Sequence, residues 1–142
     1  MTIAAILSGK GRDVLSVTAH QTVMEAAALL AQRRIGALPV MDGPSVAGIF
    51  SERDVIHALA NHGADALALK VGDVMTAPAI TVSPADSVIG ALSLMSRRRI
   101  RHLPVLEGGR IIGVVSIGDL VKYRIDRIEA DAAAMRDYIQ TA

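Results

Sequence analysis

The feature that most constrains this chain is an internal repeat. Shifting the sequence by 65 positions places Ser51 on Ser116 and Asp54 on Asp119. The same shift aligns further apolar, proline and glycine positions without a gap: Val17 with Val82, Val23 with Val88, Leu29 with Leu94, Leu38-Pro39-Val40 with Leu103-Pro104-Val105, and Gly48 with Gly113. Two copies are too few for an elongated array, so they predict a pseudo-symmetric pair that shares an interface.

The first half of each copy predicts a strand followed by a helix. Short β-prone runs at residues 14–17 and 79–82 indicate the strands. Thr22 and Glu25 have capping-box spacing, and apolar residues recur three and four positions apart from Val88 onwards. Both patterns are typical of a helix with one face in the core.

The second half of each copy predicts a hairpin and another helix. Pairs of apolar runs flank glycine-containing turns, at 37–41 and 46–50 in the first copy and at 103–106 and 111–115 in the second. Ser51 and Ser116 then begin the second helix. We therefore expect a mixed α/β (α+β) fold made of two β-α-β-β-α repeats.

The composition fits one compact body of 142 residues, since 51% of them are hydrophobic and a chain of this size buries roughly 70% of its unfolded surface. We place the first repeat with its leading segment at 1–62, a linker with the next leading segment at 63–77, the second repeat at 78–125, and a helical extension at 126–142. No apolar run reaches the roughly 20 residues of a membrane span, and the first residues lack a signal-peptide pattern. We expect a cytoplasmic protein without membrane contact.

Residues 120–139 predict a helix with an apolar stripe. Val121, Ile125, Ile128, Ala132, Met135 and Ile139 are spaced three or four apart, with charged residues between them. Such a stripe requires a partner surface. Because twofold contacts are the commonest oligomer type, we expect a homodimer stabilised partly by this helix.

Two stretches carry a resemblance to a known family. "GIFSERDVIHAL" and "GVVSIGDLVKYR" share a pattern of Gly, an apolar run, Ser, two residues and Asp. A Leu-Pro-Val sequence precedes each hairpin, and residues 71–76, "VGDVMT", lead into the second copy. With these motifs the chain resembles a tandem pair of cystathionine β-synthase (CBS) domains, or Bateman module, of the small stand-alone bacterial type. The resemblance implies two repeats packed through their sheets about a pseudo-twofold axis, with two clefts that often bind adenosine-containing ligands.

The resemblance also implies roles for particular residues. Asp54 and Asp119 correspond to the family's ribose-binding carboxylate, and Ser51 and Ser116 stand at helix N-termini that suit a phosphate. The base-lining segments contain Ser16, Ala37, Pro39, Ile80, Thr81 and Pro104. Candidate phosphate contacts are Arg53, Arg101 and His102, with Lys10 as a further candidate in a glycine-flanked loop. The first copy has Gly36 and Ala37 where the second has Arg101 and His102, so we expect the clefts to differ.

The ligand expected from this set of residues is AMP. The cations are too few for a polyphosphate without a metal ion, and no Gly-x-Gly-x-x-Gly fingerprint supports a dinucleotide. NAD(H), ATP and S-adenosylmethionine remain alternatives. We expect a regulatory module that senses energy or redox state and signals by conformational change to an unknown protein.

Three other interpretations compete with nucleotide binding. Ser-x-x-Asp is also a helix-capping arrangement, which would leave a ligand-free dimeric scaffold. The arginine-rich stretch at 97–101 suggests nucleic-acid binding, but the net charge is only +1 and aromatic residues are 2% of the chain. The scattered histidines and the absence of cysteine leave no recognisable metal site or catalytic group, so we expect no enzyme activity.

Overall fold

The computed structural model describes residues 1–11 and 13–141, so Arg12 and Ala142 lie outside the described residues. The elements of the first half are α1 (Ile3–Lys10), β1 (Val17–Thr18), α2 (Val23–Arg33), β2 (Ala37–Asp42), β3 (Ser45–Ser51), α3 (Glu52–His62) and a 3₁₀ helix (Gly63–Ala68). The second half contains α4 (Val71–Val74), α5 (Val88–Arg98), β4 (His102–Glu107), β5 (Arg110–Ser116) and α6 (Ile117–Thr141). The fold class predicted from the sequence is confirmed.

The two predicted hairpins have matching registers. β2 pairs with β3 and β4 pairs with β5, both antiparallel, and the pairing shifts after Val40 in one and after Val105 in the other. These two valines are 65 positions apart, so the irregularity itself is repeated. β3 and β5 contact each other, which joins the two sheets as the repeat predicts.

The opening strands are shorter than predicted. In the first repeat only Val17 and Thr18 form β1, parallel to β2. In the second repeat the predicted strand at 79–82 is wrong, because pairing is limited to a single bridge between Val82 and Val105. Here the Val82 amide donates to the Pro104 carbonyl (3.0 Å), and the Val82 carbonyl accepts from the Leu106 amide (2.9 Å). Ala79 and Ile80 line a cavity instead of pairing with a strand.

The hydrophobic core of each repeat includes residues from the segment that leads into the other repeat. Ile3, Ile6 and Leu7 of α1 are buried in the core of the second repeat. Val71 of α4 is buried in the core of the first, with Met75 packed against it. α1 therefore packs on the second repeat, although the sequence analysis places it in the segment that leads the first.

The two leading segments are residues 1–10 and 69–76. Equivalent residues in them are 68 positions apart, whereas equivalent residues of the repeats are 65 positions apart. Ile3 and Val71 donate their amides to the equivalent carbonyls of Asp86 (2.9 Å) and Gln21 (2.8 Å). The first leading segment is thus followed by three extra residues before its repeat. α1 is a full helix ending at Lys10, whereas the sequence analysis placed Lys10 in a loop.

The last helix, α6, runs 25 residues, as the stripe of apolar residues predicts. Leu120 is buried, and Tyr123 packs against the core of the second repeat. Beyond Arg124 the helix leaves the core, and its apolar stripe is exposed, with Ile128 at 52%. No helix among residues 1–11 and 13–141 combines the length and the apolar character needed to cross a membrane.

Gly48 and Gly113 are equivalent positions of the two repeats, and each lies against the leading segment that packs on its repeat. Substituting them tests this packing. A Cβ at Gly48 would lie 2.6 Å from the Thr76 carbonyl oxygen, while one at Gly113 would lie 2.6 Å from a Leu7 methyl group. The carbonyl is fixed by the bridge between Ile49 and Thr76, whereas the methyl group can rotate away. We expect Gly48→Ala to lower the free energy of unfolding by about 1–3 kcal/mol and Gly113→Ala by clearly less. Denaturant unfolding of both variants measures the difference, and equal losses would contradict it.

Candidate functional site

The second helix of each repeat begins with a reciprocal Ser-Asp cap. The Ser51 amide donates to Asp54 Oδ2 (2.8 Å), and Ser51 Oγ accepts from the Asp54 amide (3.4 Å). In the second repeat the Ser116 amide donates to Asp119 Oδ2 (2.8 Å), and Ser116 Oγ accepts from the Asp119 amide (3.1 Å). The capping interpretation is therefore confirmed, and any ligand role of these residues exists beside it.

Between the repeats lies a first cavity, called here the Asp54 cleft. Its walls come from both repeats, since Gly36 belongs to one and His102 to the other. The lining residues are Gly36, Ile49, Ser51, Glu52, Arg53, Asp54, Thr76, Pro78, Ala79, Ile80, Arg99, Ile100, Arg101 and His102. Apolar side chains and backbone of residues 78–80 face a carboxylate and three arginines. This combination offers a flat apolar surface, a hydrogen-bond acceptor and cations in one place.

Asp54 is the one buried charged residue among the described residues, with 9% of its surface exposed. Oδ2 accepts from the Ser51 amide and from Ser51 Oγ (3.1 Å), and Oδ1 accepts from Thr76 Oγ1 (3.0 Å). A carboxylate has about four acceptor positions, so Oδ1 keeps one lone pair for another donor. The partners are neutral, and the negative charge of Asp54 stays available to a ligand.

The arginines of the Asp54 cleft are exposed at its rim. Arg53 Nη1 donates to the Arg99 carbonyl (3.2 Å), where Arg99 ends α5 in the left-handed conformation, with φ of 55°. This bond fixes the Arg53 side chain at the rim and uses one of its five N–H donors. The counterpart of Arg53 in the second repeat is Gly118, so this contact has no equivalent.

A second cavity, the Asp119 cleft, occupies the pseudo-symmetric position. It is lined by Lys10, Gly11, Asp13, Val14, Leu15, Arg33, Arg34, Ile35, Gly36, Ala37, Pro39, His102, Gly113, Val114, Ser116 and Asp119. Its volume is about 860 Å³, against about 180 Å³ for the Asp54 cleft. The two clefts thus differ in size as well as in residues.

Lys10 binds the carboxylate of the Asp119 cleft. Its ammonium group donates to Asp119 Oδ2 (2.6 Å) and to the Val114 carbonyl (2.7 Å). Burial raises the pKa of Asp119, but the hydrogen bonds from Lys10 and Ser116 outweigh burial and hold that pKa below its ordinary value of 3.8. Asp119 is therefore ionised and already paired with a cation at neutral pH.

His102 lines both clefts. A Cβ at Gly36 would lie 3.0 Å from ring atoms Cε1 and Nε2 of His102, so the ring lies directly against the glycine backbone. Burial is the main cause that lowers the pKa of His102 below 6.5, and the nearby Lys10 lowers it further, against a weaker opposing effect of Glu52. At neutral pH the ring is uncharged.

The CBS domain family matches the chain twice, at residues 11–61 and 71–126. The chain belongs to the CBS domain family. A CBS-domain protein from Agrobacterium tumefaciens has a TM-score of 0.85 at 38% identity, covering 87% of this chain and 99% of that one. The mitochondrial CBS domain-containing protein CBSX3 of Arabidopsis thaliana is 35% identical over 148 residues, which is 98% of this chain and 72% of that protein.

A third relative was solved with ligands. The CBS domain pair of protein MJ0100, in complex with 5′-methylthioadenosine and S-adenosyl-L-methionine, has a TM-score of 0.75 at 25% identity. The match covers 89% of this chain and 98% of that one. The resemblance inferred from the sequence is thus confirmed at the level of family and fold.

The CBS pair brings most of the predicted residues to the two clefts. Ser51, Arg53, Asp54, Ile80, Arg101 and His102 line the Asp54 cleft, and Ala37, Pro39, Ser116 and Asp119 line the other, together with His102. The remaining three are not among the described residues that line either cavity: Ser16, Thr81 and Pro104. Ser16 and Thr81 precede buried valines in extended segments, where successive side chains alternate in direction, and Pro104 is buried within β4.

Thr76 is the clearest residue that the sequence analysis missed. It lies in the motif used to recognise the family, but that motif was aligned only as a lead into the second copy. Aligning the two leading segments at a shift of 68 places Thr76 opposite Ser8 but does not show which repeat each segment packs against. The contacts of Thr76 with Asp54 and of Lys10 with Asp119 therefore have no signal in the sequence.

His102 predicts a pH dependence of stability. Its pKa in the folded protein is lowered, so the unfolded chain binds the proton more readily, and the free energy of unfolding falls as pH drops through 6.5. The substitution His102→Ala introduces the alanine that the first repeat has at the equivalent position, Ala37. We expect it to reduce the loss of unfolding free energy at low pH by up to about 1.4 kcal/mol for each unit by which folding lowers the pKa of His102. Denaturant unfolding at about pH 7.5 and about pH 5.5 measures it. An unchanged slope in the variant would show that His102 is not the group responsible.

Proposed function

We propose that this CBS pair is a regulatory module that binds an adenosine-containing ligand, AMP above all, in the Asp54 cleft. The observation that carries the proposal is the Asp54 carboxylate, which is buried, charged and held by neutral donors with an acceptor position to spare. A ribose presents two adjacent hydroxyl donors, and a carboxylate is the group that nucleotide sites commonly use to accept them. The apolar residues Pro78, Ala79 and Ile80 supply a wall for the base.

The rim of the Asp54 cleft favours a phosphate over a cationic group. Arg53, Arg99 and Arg101 are exposed around it, while His102 is uncharged at neutral pH. Guanidinium groups match phosphate oxygens in geometry and charge. The cavity, at about 180 Å³, is smaller than the roughly 300–1,000 Å³ of pockets that enclose a small ligand, so the phosphate would remain at the arginine rim.

The relatives support the class of ligand rather than its identity. The MJ0100 pair was solved with two adenosyl compounds, one of which carries a sulfonium cation. S-adenosylmethionine is therefore the main alternative here, and the three arginines disfavour its positive charge. NAD(H) and ATP would place more of the ligand outside the cavity, and both fit these residues less well than AMP.

The position of the cleft supports a regulatory role. Its walls come from both repeats, so a ligand there contacts two bodies that share an interface. Such a ligand changes the equilibrium between arrangements of the repeats only to the extent that it binds one arrangement more tightly. The resulting change in surface would be sensed by another protein, which the residues of this chain do not identify.

Calorimetric titration of AMP tests the proposal. We expect Asp54→Asn, which can still accept from the Ser51 amide, to weaken AMP binding by about five- to a hundredfold, corresponding to roughly 1–3 kcal/mol. Asp119→Asn is the matched control, with the same change in the pseudo-symmetric cap, and should leave AMP affinity unchanged. Titration with S-adenosylmethionine compares the two ligands. Equal affinity of Asp54→Asn and the unsubstituted protein for AMP would contradict the proposal, and absence of binding would leave a dimeric scaffold as the better interpretation.

The homodimer is a further part of the proposal and involves α6. The stripe beyond Arg124 is exposed along its length, and none of the described residues covers it. A second copy provides the same apolar stripe and, between its apolar residues, charges of both signs. A twofold contact would cover both stripes at once.

The oligomeric state can be tested by light scattering coupled to size exclusion. We expect a dimer that Ile128→Asp converts to monomer, because a charge would be buried in the apolar contact. Ala130→Asp adds the same charge about 200° away around the helix and should remain dimeric. A monomeric unsubstituted protein, or a dimer unaffected by Ile128→Asp, would remove α6 from the interface.

A further inference from the structure

The helices α2 and α5 both end on an arginine in the left-handed backbone conformation. Arg34 has φ of 54° and Arg99 has φ of 55°, and among the described residues they are the only ones other than glycine with positive φ. In each case the amide of the next residue donates to a carbonyl five positions earlier, at Leu30 and at Met95 (both 3.1 Å). This is the hydrogen bond of a Schellman motif, in which the left-handed residue is usually glycine.

These two turns do not require arginine for folding. They are closed by backbone hydrogen bonds and by the residues that follow, since Ile35 and Ile100 pack against the two cores. A Cβ is disfavoured in the left-handed region, and glycine avoids that cost. A cation near a helix C-terminus does stabilise the helix dipole, but Arg33 and Arg98 already supply one within the last turns. Glycine would therefore suit both turns better than arginine.

The same two arginines line the two clefts. Arg99 lines the Asp54 cleft, and Arg34 lines the Asp119 cleft 65 positions earlier in the chain. Among the described residues they are the only cationic side chains at equivalent lining positions of both clefts. The other cations of the clefts have no cationic counterpart that lines the opposite cleft: Lys10, Arg33, Arg53 and Arg101.

The guanidinium groups of both arginines are open to a ligand. Both side chains are exposed, and the single ion pair within residues 1–11 and 13–141 joins Lys10 to Asp119, so no carboxylate neutralises either arginine. Arg53, by contrast, already donates to the Arg99 carbonyl (3.2 Å). A guanidinium binds phosphate oxygens through two parallel hydrogen bonds. An unneutralised arginine at the same point of each cleft therefore favours an anionic ligand group there.

We propose that Arg34 and Arg99 are the specificity-determining residues that select a phosphate-bearing ligand in the two clefts. For Arg99 the inference rests on the proposed function and deepens it, because it assigns the preference for phosphate to one residue of the rim. For Arg34 it adds an anion site to the Asp119 cleft, which the proposed function does not use. The unfavourable backbone conformation is thus kept in both repeats for recognition rather than for folding.

Substitution by glycine separates recognition from folding. Arg99→Gly and Arg34→Gly each remove a guanidinium group and introduce the residue that the left-handed conformation favours. Arg98→Ala is the matched control, because Arg98 is an exposed neighbour of Arg99 that lines neither cleft. Each protein is titrated by calorimetry with AMP and with adenosine, which lacks the phosphate. The denaturant midpoint of unfolding is measured without ligand.

The ratio of AMP affinity to adenosine affinity is the decisive quantity. We expect Arg99→Gly to weaken AMP binding by about five- to twentyfold and to leave adenosine binding unchanged. Arg34→Gly and Arg98→Ala should leave AMP affinity in the Asp54 cleft unchanged. Both glycine variants should unfold at the same or a higher denaturant concentration than the unsubstituted protein. An unchanged ratio in Arg99→Gly overturns the inference, and so does a lower midpoint in either glycine variant, because the arginine would then serve the fold.

Titration with inorganic phosphate tests both arginines independently of the proposed function. The Nε–Hε signals of Arg34 and Arg99 are followed by NMR while phosphate replaces chloride at constant ionic strength, with Arg98 as an internal control. We expect saturable shifts of both cleft arginines and none of Arg98. Absence of a saturable shift overturns the inference for the cleft concerned. Saturable shifts in a protein that binds neither AMP nor adenosine would reject the proposed function and support the two anion sites.

Discussion

Each repeat completes its hydrophobic core with a segment that precedes the other repeat in sequence. α1 inserts Ile3, Ile6 and Leu7 against the second repeat, and α4 inserts Val71 against the first. Burial of large apolar side chains of this kind is worth roughly 1.5–3 kcal/mol each. The clefts depend on this exchange, because Lys10 ends α1 and Thr76 follows α4, and each residue thereby reaches the carboxylate of the repeat on which its segment packs.

The pseudo-symmetry is broken where the two repeats meet. The pair Gly36-Ala37 in one repeat faces the larger pair Arg101-His102 in the other, and the His102 ring lies so close to the glycine that an added Cβ would require the ring to shift. Small residues on one side make room for large ones on the other. Because His102 is shared, a ligand that moves its ring in one cleft also changes a wall of the other, which gives a physical route for communication between the clefts.

The sequence predicted the features that depend on local patterns. The hairpins, the helix caps at Ser51 and Ser116, and the long last helix all follow from turn residues, spacing and periodicity within a few residues. The partner of α1 and the bond from Lys10 to Asp119, across 109 residues, could not be derived in this way. A lysine near a glycine has the same local pattern whether it is solvated or bound, and only the packing of α1 on the second repeat decides between the two. The short opening strands show the same limit, since the β-prone residues Ala79 and Ile80 line a cavity rather than pair with a strand.

The exchange of leading segments also bears on how the chain is made. α1 leaves the ribosome before its packing partner β5, which is about 100 residues further along the chain. At typical synthesis rates of about 5–20 residues per second, α1 waits for roughly 5–20 s without the surface that buries it. An isolated helix of eight residues is unstable in water, so the N-terminal segment is expected to stay unfolded through that interval. Folding of the whole module then becomes a late event, in which both cores close together after synthesis of the second hairpin.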